Sequence, residues 1–399
     1  MLHSTKISSH FMLFCLWVIY FGGCSQQMEL PGLKASGPDE KAVQTLKETK
    51  TCVKCNLQQS NLNYAKLAKA DLSEAVLDAS SMNGVDLSGA TLNNTSFVEA
   101  DLSSSILSDA VGENVDFSQS VMTSSKIIKA NFESSIFSGA NLSKSTLNES
   151  VITDADFSKA LMSQSQLIKT DLSKSDLSQG NYNYANFSEA ILKGCNLEEV
   201  SAKNAIFKTT NLQDTNFTKS NLDGSDLSNS NLTRAKLDGA SLIGVNLNGA
   251  DLTLASLNGV ALKNANLTFT QMSKVDFTNA DLSGTIIHRS NVSGALMVNT
   301  NLTGAKLEKS RFDGADFENA NLTQIVSSQS KFINSVFKNT DLTNAVFKES
   351  DLTGSVFEGT RLNGANLKGS NFDGVDLSQA IFCETVMPDG KISNKNCKK

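Results

Sequence analysis

The sequence predicts an all-β solenoid, because one five-residue pattern runs through most of its 399 residues without a change of register. From Leu57 to Phe382 every fifth residue is large and apolar, and only Gly112, Ala202 and Ser327 break the rule. The residue two places earlier is almost always small. A period of five fits neither a helix of 3.6 residues per turn nor a strand of period two. The chain must therefore turn a corner every five residues and point one large and one small side chain inward each time.

The residue between the small and the large position is Asp or Asn in half of the repeats, as in Ala70, Asp71 and Leu72. This pattern resembles the pentapeptide-repeat family, Ala-(Asp/Asn)-Leu-x-x, over about 80% of the chain. The resemblance implies a right-handed quadrilateral β-helix with four repeats in each coil, so that residues twenty apart are stacked neighbours. The 66 repeats then make about 16 coils. With strands ~4.8 Å apart, the solenoid would be roughly 80 Å long.

The three exceptions to the large-residue rule differ in how their missing volume is replaced. Val200 stands two places before Ala202, and Ile325 stands two places before Ser327, where a small residue is usual. Gly112 has no such replacement, so we expect a local weak point there.

The N-terminus predicts export and a lipid anchor. Residues 11–21 form an apolar run behind Lys6, which is too short to span a bilayer and suits a signal-peptide core. Small residues stand directly before Cys24, as in a bacterial lipobox, where the cysteine is lipidated and becomes the first residue after cleavage. An ordinary cleaved signal with an incidental cysteine is the alternative. We assign 1–23 to a signal peptide and 24–38 to a lipid-anchored linker. The expected location is the bacterial cell envelope, as a membrane-anchored lipoprotein or otherwise as a periplasmic or secreted protein.

Both ends of a solenoid need caps, because the terminal coils expose apolar core and strand edges. Residues 39–52 predict a short amphipathic helix with Asp39 as its N-cap, which we expect to cover the first coil. The solenoid itself is expected to span 53–385. Residues 386–399 predict a turn and a basic tail that form the C-terminal cap.

The cysteines predict disulfides at the two ends, since an exported chain meets oxidising conditions. Cys383 and Cys397 flank the predicted C-terminal turn, and we expect a disulfide between them to hold the tail over the open end. Cys52 and Cys55 form a possible second disulfide, because a single C-x-x-C is only a weak zinc or redox motif. Cys195 occupies a small inward position and is expected to be a buried free thiol.

The composition disfavours an enzyme and excludes a disordered chain. Hydrophobic residues make up 40% of the sequence and the net charge is only −6. His3 and His10 lie in the export segment, which leaves His288 alone and weakens histidine-based catalysis and metal binding. No phosphate-binding loop, nucleophile elbow or paired-histidine motif is present. We predict no catalytic residue, metal or cofactor, and we predict His288 to be a surface residue.

The predicted function is a non-catalytic scaffold that presents flat β faces to an envelope protein or polysaccharide, with no nucleic acid as partner. The family resemblance implies an alternative, since some pentapeptide-repeat proteins mimic duplex DNA and inhibit DNA gyrase. Residues 53–385 carry 26 basic and 36 acidic residues, a net charge of −10. That is about one charge per 8 Å of solenoid, against about one per 1.7 Å in DNA. The low charge density and the export signal both disfavour the alternative.

Overall fold

The computed structural model describes residues 39–397, which comprise one helix, a long stack of coils and a C-terminal hairpin. Helix α1 spans Glu40–Thr49. Strands β1, Thr385–Val386, and β2, Ile392–Ser393, pair antiparallel. Within these residues no helix has the length and apolar character needed to cross a membrane. The predicted signal peptide, Cys24 and the linker lie outside the described residues.

Between α1 and β1 nearly every repeat before the last coil places one residue in a parallel bridge with the residue twenty positions later. Four repeats therefore make one coil, and four columns of bridges give the coil four faces. We name these faces A, B, C and D after the bridging residues of the first coil, Thr51, Asn56, Asn61 and Lys66. The register does not shift at Gly112 or at the other two exceptions. The all-β quadrilateral β-helix predicted from the sequence is confirmed.

The corners between faces are tight turns that explain the period of five. In a representative corner the Ser60 N–H donates to the Leu57 carbonyl at 3.2 Å, and Gln59 has a φ of 57°. A positive φ at the third residue of a hydrogen-bonded four-residue turn is the mark of a type II turn. Every fifth residue from Lys54 to Gly374 shares this left-handed (αL) conformation. One repeat is thus one side of the coil plus one turn.

The large and small positions of the repeats form the core, and almost all of them are fully buried. Aromatic rings stack at twenty-residue spacing: Phe97, Phe117, Phe137 and Phe157 form a column with ring centroids 5.1, 4.8 and 4.5 Å apart. Stacked rings contribute about 0.5–1.5 kcal/mol per pair beyond the area that they bury. The periodicity of the sequence therefore translates directly into a continuous packed core.

At Gly112 a neighbouring side chain fills the space that a large residue would occupy. The Val115 N–H donates to the Ser135 hydroxyl at 3.1 Å in place of the usual turn hydrogen bond, so the weak point expected there stays a prediction. A Cβ added to Gly112 would lie 2.6 Å from Cγ2 of Val115 and 3.0 Å from the backbone of Leu92. Val115, the small-position residue of the next repeat, therefore supplies the missing volume. Val200 and Ile325 are buried as predicted, at 2% and 0% exposure.

At the N-terminus, α1 packs against the first coil. The Asp39 carboxylate accepts hydrogen bonds from the backbone N–H groups of Lys41 and Ala42, each at 3.1 Å. Val43 and Leu46, on the apolar side of the helix, are buried in the same core cluster as the coils. These buried side chains fix the position of α1 against the first coil.

The last coil is open on face B. Asp376 follows Val356 in register, yet the two residues form no bridge, and Phe372 and Leu377 are only partly buried. The five-residue pattern continues through this segment in the sequence, whereas its backbone leaves the ladder. The C-terminal tail holds faces C and D of this coil, because the Asn396 N–H donates to the Phe382 carbonyl and Thr385 pairs with Ser393, whereas face B forms no bridge.

Candidate functional site

The bridging residues form the outer surface of the four faces, and their polar side chains are largely satisfied within the protein. The Asp71 carboxylate accepts from the N–H and hydroxyl of Ser73 at 3.0 and 2.7 Å. Between coils, Asn196 donates to Asp176 and Asn216 donates to Asn196, both at 3.1 Å. These ladders stabilise the stack. Face regions rich in Asn and Asp are therefore structural and offer few unpaired groups to a ligand.

At the corners, opposite charges often stack between neighbouring coils. Lys54 pairs with Glu74 at 3.2 Å, and Arg234 pairs with Asp214 at 2.7 Å. The hydrogen bond from Arg234 lowers the pKa of the Asp214 carboxyl. Each exposed pair contributes only about 0–1 kcal/mol. Their consistent effect is to keep like charges apart, which otherwise destabilise neighbouring strands.

The corner between faces D and A departs from this alternation. Arg289 and Lys309 occupy its αL position one coil apart, and Arg311 is bridged to Lys331 on face A. One coil before Arg289 stands Phe269, which is 49% exposed and has its ring centroid 6.0 Å from the guanidinium carbon of Arg289. We call this cluster the basic corner, and its members are Phe269, Ile286, Arg289, Lys306, Lys309, Arg311 and Lys331.

The basic corner carries five cations and is bordered by three anions. Glu308 lies in the corner itself, Asp351 follows Lys331 on face A, and Asp313 pairs with Arg311 at 3.0 Å. The sequence prediction did not single out this cluster. Its signal was Phe269, the one phenylalanine after the signal segment that falls outside the large position.

The described cysteines form two disulfides and one free thiol. Cys383 is bonded to Cys397 with sulfurs 2.10 Å apart, and Cys52 is bonded to Cys55 at 2.01 Å. These are the two pairs that the sequence predicts. Cys195 is free and buried, its Sγ lies 2.9 Å from the Leu172 carbonyl oxygen, and burial raises the pKa of its thiol to about 12. Such a thiol is unreactive at neutral pH.

Residues 39–397 contain no group of three or more His, Cys, Asp or Glu side chains that could hold a metal ion. His288 is half-buried at the basic corner, next to Arg289. An open cavity of about 660 Å³ lies at the C-terminal hairpin and is lined by residues that include Met387, Pro388 and Ile392. Its charged members Asp389 and Lys391 pair with each other at 3.0 Å.

Two family models match the chain. One, described as a pentapeptide repeat region, matches residues 130–207. The other, described as pentapeptide repeats in 8 copies, matches residues 55–94, 95–133, 210–249, 246–284, 285–324, 328–359 and 350–389. No curated protein matches at a significant level.

Solved structures similar to this chain include several with the same repeat. HetL, a pentapeptide repeat protein involved in heterocyst differentiation regulation from the cyanobacterium Nostoc, is 28% identical, with 62% of this chain and 91% of HetL covered and a TM-score of 0.20. A pentapeptide repeat protein of the Arabidopsis thaliana thylakoid lumen is 29% identical over 27% of this chain and 70% of its own, with a TM-score of 0.23. QnrB1, a plasmid-mediated fluoroquinolone resistance protein, is 20% identical over 46% of this chain and 83% of its own, with a TM-score of 0.25. With TM-scores this low, the superpositions support no functional comparison.

Proposed function

Because the chain belongs to the pentapeptide-repeat family, we propose that it is a non-catalytic scaffold of the bacterial cell envelope that presents flat β faces to a protein or polysaccharide. The supporting observation is the division of side chains within each repeat. Large side chains fill the interior, and the outward residues are tied into ladders that hold the faces rigid. A rigid surface loses little entropy when a partner binds, which favours recognition over long, flat areas.

The export signal and Cys24 supply the location in this proposal. Lipidation of Cys24 would attach the mature chain to a membrane, and residues 24–38 would act as the tether. An extended tether of that length reaches about 50 Å, enough to hold the solenoid clear of the lipid headgroups. The faces would then be available to other envelope components.

We further propose that caps cover most of both ends of the roughly 16 coils, with the open edge of face B in the last coil excepted, so that partners meet the faces more readily than the ends. At the start, the burial of Val43 and Leu46 supports a capping role for α1. At the far end the Asn396 N–H donates to the Phe382 carbonyl at 2.8 Å, and the Cys383–Cys397 disulfide fastens the tail. Covered ends oppose end-to-end association.

The direct test is metabolic labelling with a fatty-acid analogue, followed by cell fractionation. The unmodified protein should take up the label and remain in the membrane fraction. Cys24→Ser should lose the label, while Cys195→Ser, a matched loss of one thiol, should keep it. Equal labelling of Cys24→Ser, or recovery of the unmodified chain in the cytoplasm, would contradict the proposal. Crosslinking in whole cells then identifies the partner that contacts the faces.

A further inference from the structure

We propose that the basic corner binds a linear acidic polysaccharide, a polymer that carries a carboxylate on its sugar units. This inference rests on the proposed function and deepens it, because it names the chemistry of the partner. Three features of the corner carry it: stacked like charges, an exposed ring in a strained conformation, and the spacing of the cations.

The first feature is the stacking of cations where the fold gains nothing from it. Arg311 and Lys331 are bridge partners, and Arg289 and Lys309 occupy one corner column one coil apart. Like charges on neighbouring strands are destabilising. Elsewhere opposite charges stack between neighbouring coils, as Glu74 beside Lys54 at a corner and Asp341 beside Arg361 on face C. Single like-charge steps occur elsewhere, as between Asp156 and Asp176 on face B, but in the basic corner two such steps lie side by side. An anionic partner would neutralise their repulsion.

The second feature is Phe269. Its φ is 60°, a conformation in which a bulky residue is strained. Glycine occupies the same turn position in many repeats, including Gly249 one coil earlier, so the fold does not need a ring here. Arg289 covers one side of the ring, whereas Gly249 brings no side chain to the other. The exposed ring and the neighbouring Ile286, 40% exposed, offer apolar contacts for the carbon-bearing face of a sugar.

The third feature is the spacing of the cations, which decides between classes of polyanion. Along the corner and along face A the cations recur once per coil, at ~4.8 Å. Duplex DNA presents about one charge per 1.7 Å and a membrane presents a charged plane, so both are poorly matched by two short rows. A single polysaccharide chain with one carboxylate per sugar has a lower charge density than duplex DNA, and its charges can match the spacing of the two rows of cations. The exposed amide of Gln271, beside Phe269, can bond to hydroxyl groups.

The test uses the full-length chain, purified in a mild detergent, in affinity electrophoresis against polygalacturonate. The neutral methyl ester of the same polymer is the control ligand. The acidic polymer should retard the protein, less so as salt is raised, and the ester should not. The triple variant Arg289→Gln, Lys309→Gln, Lys331→Gln should bind at least about 10-fold more weakly. A matched triple with the same loss of charge, Lys66→Gln, Lys126→Gln, Lys144→Gln, should bind as the unmodified protein does.

Two further measurements separate binding from stability and from other polyanions. Lys309→Glu should raise the thermal midpoint slightly, because the new carboxylate can pair with Arg289, and should weaken binding to the polymer. If Lys309→Glu lowered both the thermal midpoint and the binding, Lys309 would have a structural role and the proposal would be overturned. Equal weakening by the two triple variants, or tighter binding to duplex DNA, an acidic peptide or vesicles of anionic lipid, would also overturn it. A negative result in the polysaccharide-binding assay would not change the labelling result for Cys24. A negative labelling result would likewise not change the outcome of the binding assay.

Discussion

At the residue scale, the recurring αL corner is the most demanding position of the fold. Glycine adopts it freely, whereas other residues strain the backbone, and yet most corners carry a side chain. Side chains at the corner extend into solvent, where they form the charge ladders and the basic corner. The backbone strain at these corners is the cost of having exposed side chains along the edges of the solenoid.

Gly244 tests the backbone cost of this corner without a steric contribution. Its φ is +67°, and a Cβ built on it would meet no atom within 4 Å. Gly244→Ala should therefore lower the free energy of unfolding by about 1 kcal/mol through backbone strain alone. Leu254→Gly, at a corner with a φ of 61°, should change the urea midpoint in the opposite direction. Two shifts of the same sign, measured by circular dichroism, would refute this account.

Two buried ionisable groups predict loss of stability at alkaline pH. Burial raises the pKa of Tyr182 well above its usual 10.0, and burial raises the pKa of Cys195 from 9.0 to about 12. Both groups stay neutral in the fold and ionise more readily in the unfolded chain. Their contribution to stability is full below the unfolded pKa and is lost as pH rises through the folded value.

The thermal midpoint should therefore fall steadily between about pH 9 and 12, which differential scanning calorimetry can follow. Tyr182→Phe and Cys195→Ala should each flatten that fall. The slope is the readout, because Tyr182→Phe also removes the hydrogen bond from its hydroxyl to the Leu177 carbonyl, 2.9 Å long. Unchanged slopes in both variants would show that other groups cause the alkaline loss.

At the element scale, the unit of packing is a pair of neighbouring repeats. Gly112→Ala should destabilise the protein by about 1–3 kcal/mol, because its Cβ would meet Val115 and the Leu92 backbone. Val115→Ala makes room, so the double variant should recover part of the stability lost by Gly112→Ala. A double-mutant cycle from urea unfolding measures this coupling. Strict additivity would mean that Val115 does not fill the site.

The C-terminal hairpin should depend on its disulfide. Closing a loop of about 15 residues is worth roughly 3 kcal/mol in the chain-entropy model. Cys383→Ser with Cys397→Ser should therefore speed amide exchange at residues 382–386, where the tail side chain of Asn394 accepts from the Glu384 N–H at 3.0 Å. Cys195→Ala serves as the control. Native peptides that contain both end cysteines as free thiols would refute the bridge.

At the scale of the whole molecule, charge density leads us to predict that this chain does not act as a DNA mimic. The net charge of −10 over residues 53–385 is spread thinly, and the basic corner interrupts it with a local excess of cations. The purified protein should therefore leave DNA gyrase supercoiling unchanged, because a mimic must reproduce the dense charge of the duplex. A supercoiling assay checks this expectation. Inhibition at sub-micromolar concentration would contradict it.

The sequence by itself determined the coil. A strict period of five assigns each residue to the interior, a face or a corner, and the four repeats per coil implied by the family resemblance make residues twenty apart neighbours. Asp341 and Arg361 could thus be paired from their numbers alone, and they lie 3.0 Å apart. Local turns set this architecture, and local turns depend on nearby residues, which is why the sequence was sufficient.

Tertiary structure alone decided how the coils are completed and what their corners present. Val115 fills the space at Gly112 because packing recruits whichever neighbour can reach, and the period does not specify that neighbour. The last coil leaves the ladder on face B although its residues keep the pattern, because the C-terminal tail holds faces C and D and forms no bridge on face B. In the basic corner the spacing of twenty already makes Arg289 and Lys309 neighbours, whereas only the structure shows that the guanidinium carbon of Arg289 lies 6.0 Å from the centroid of the Phe269 ring. The orientation of a side chain depends on packing between coils, which the period does not specify.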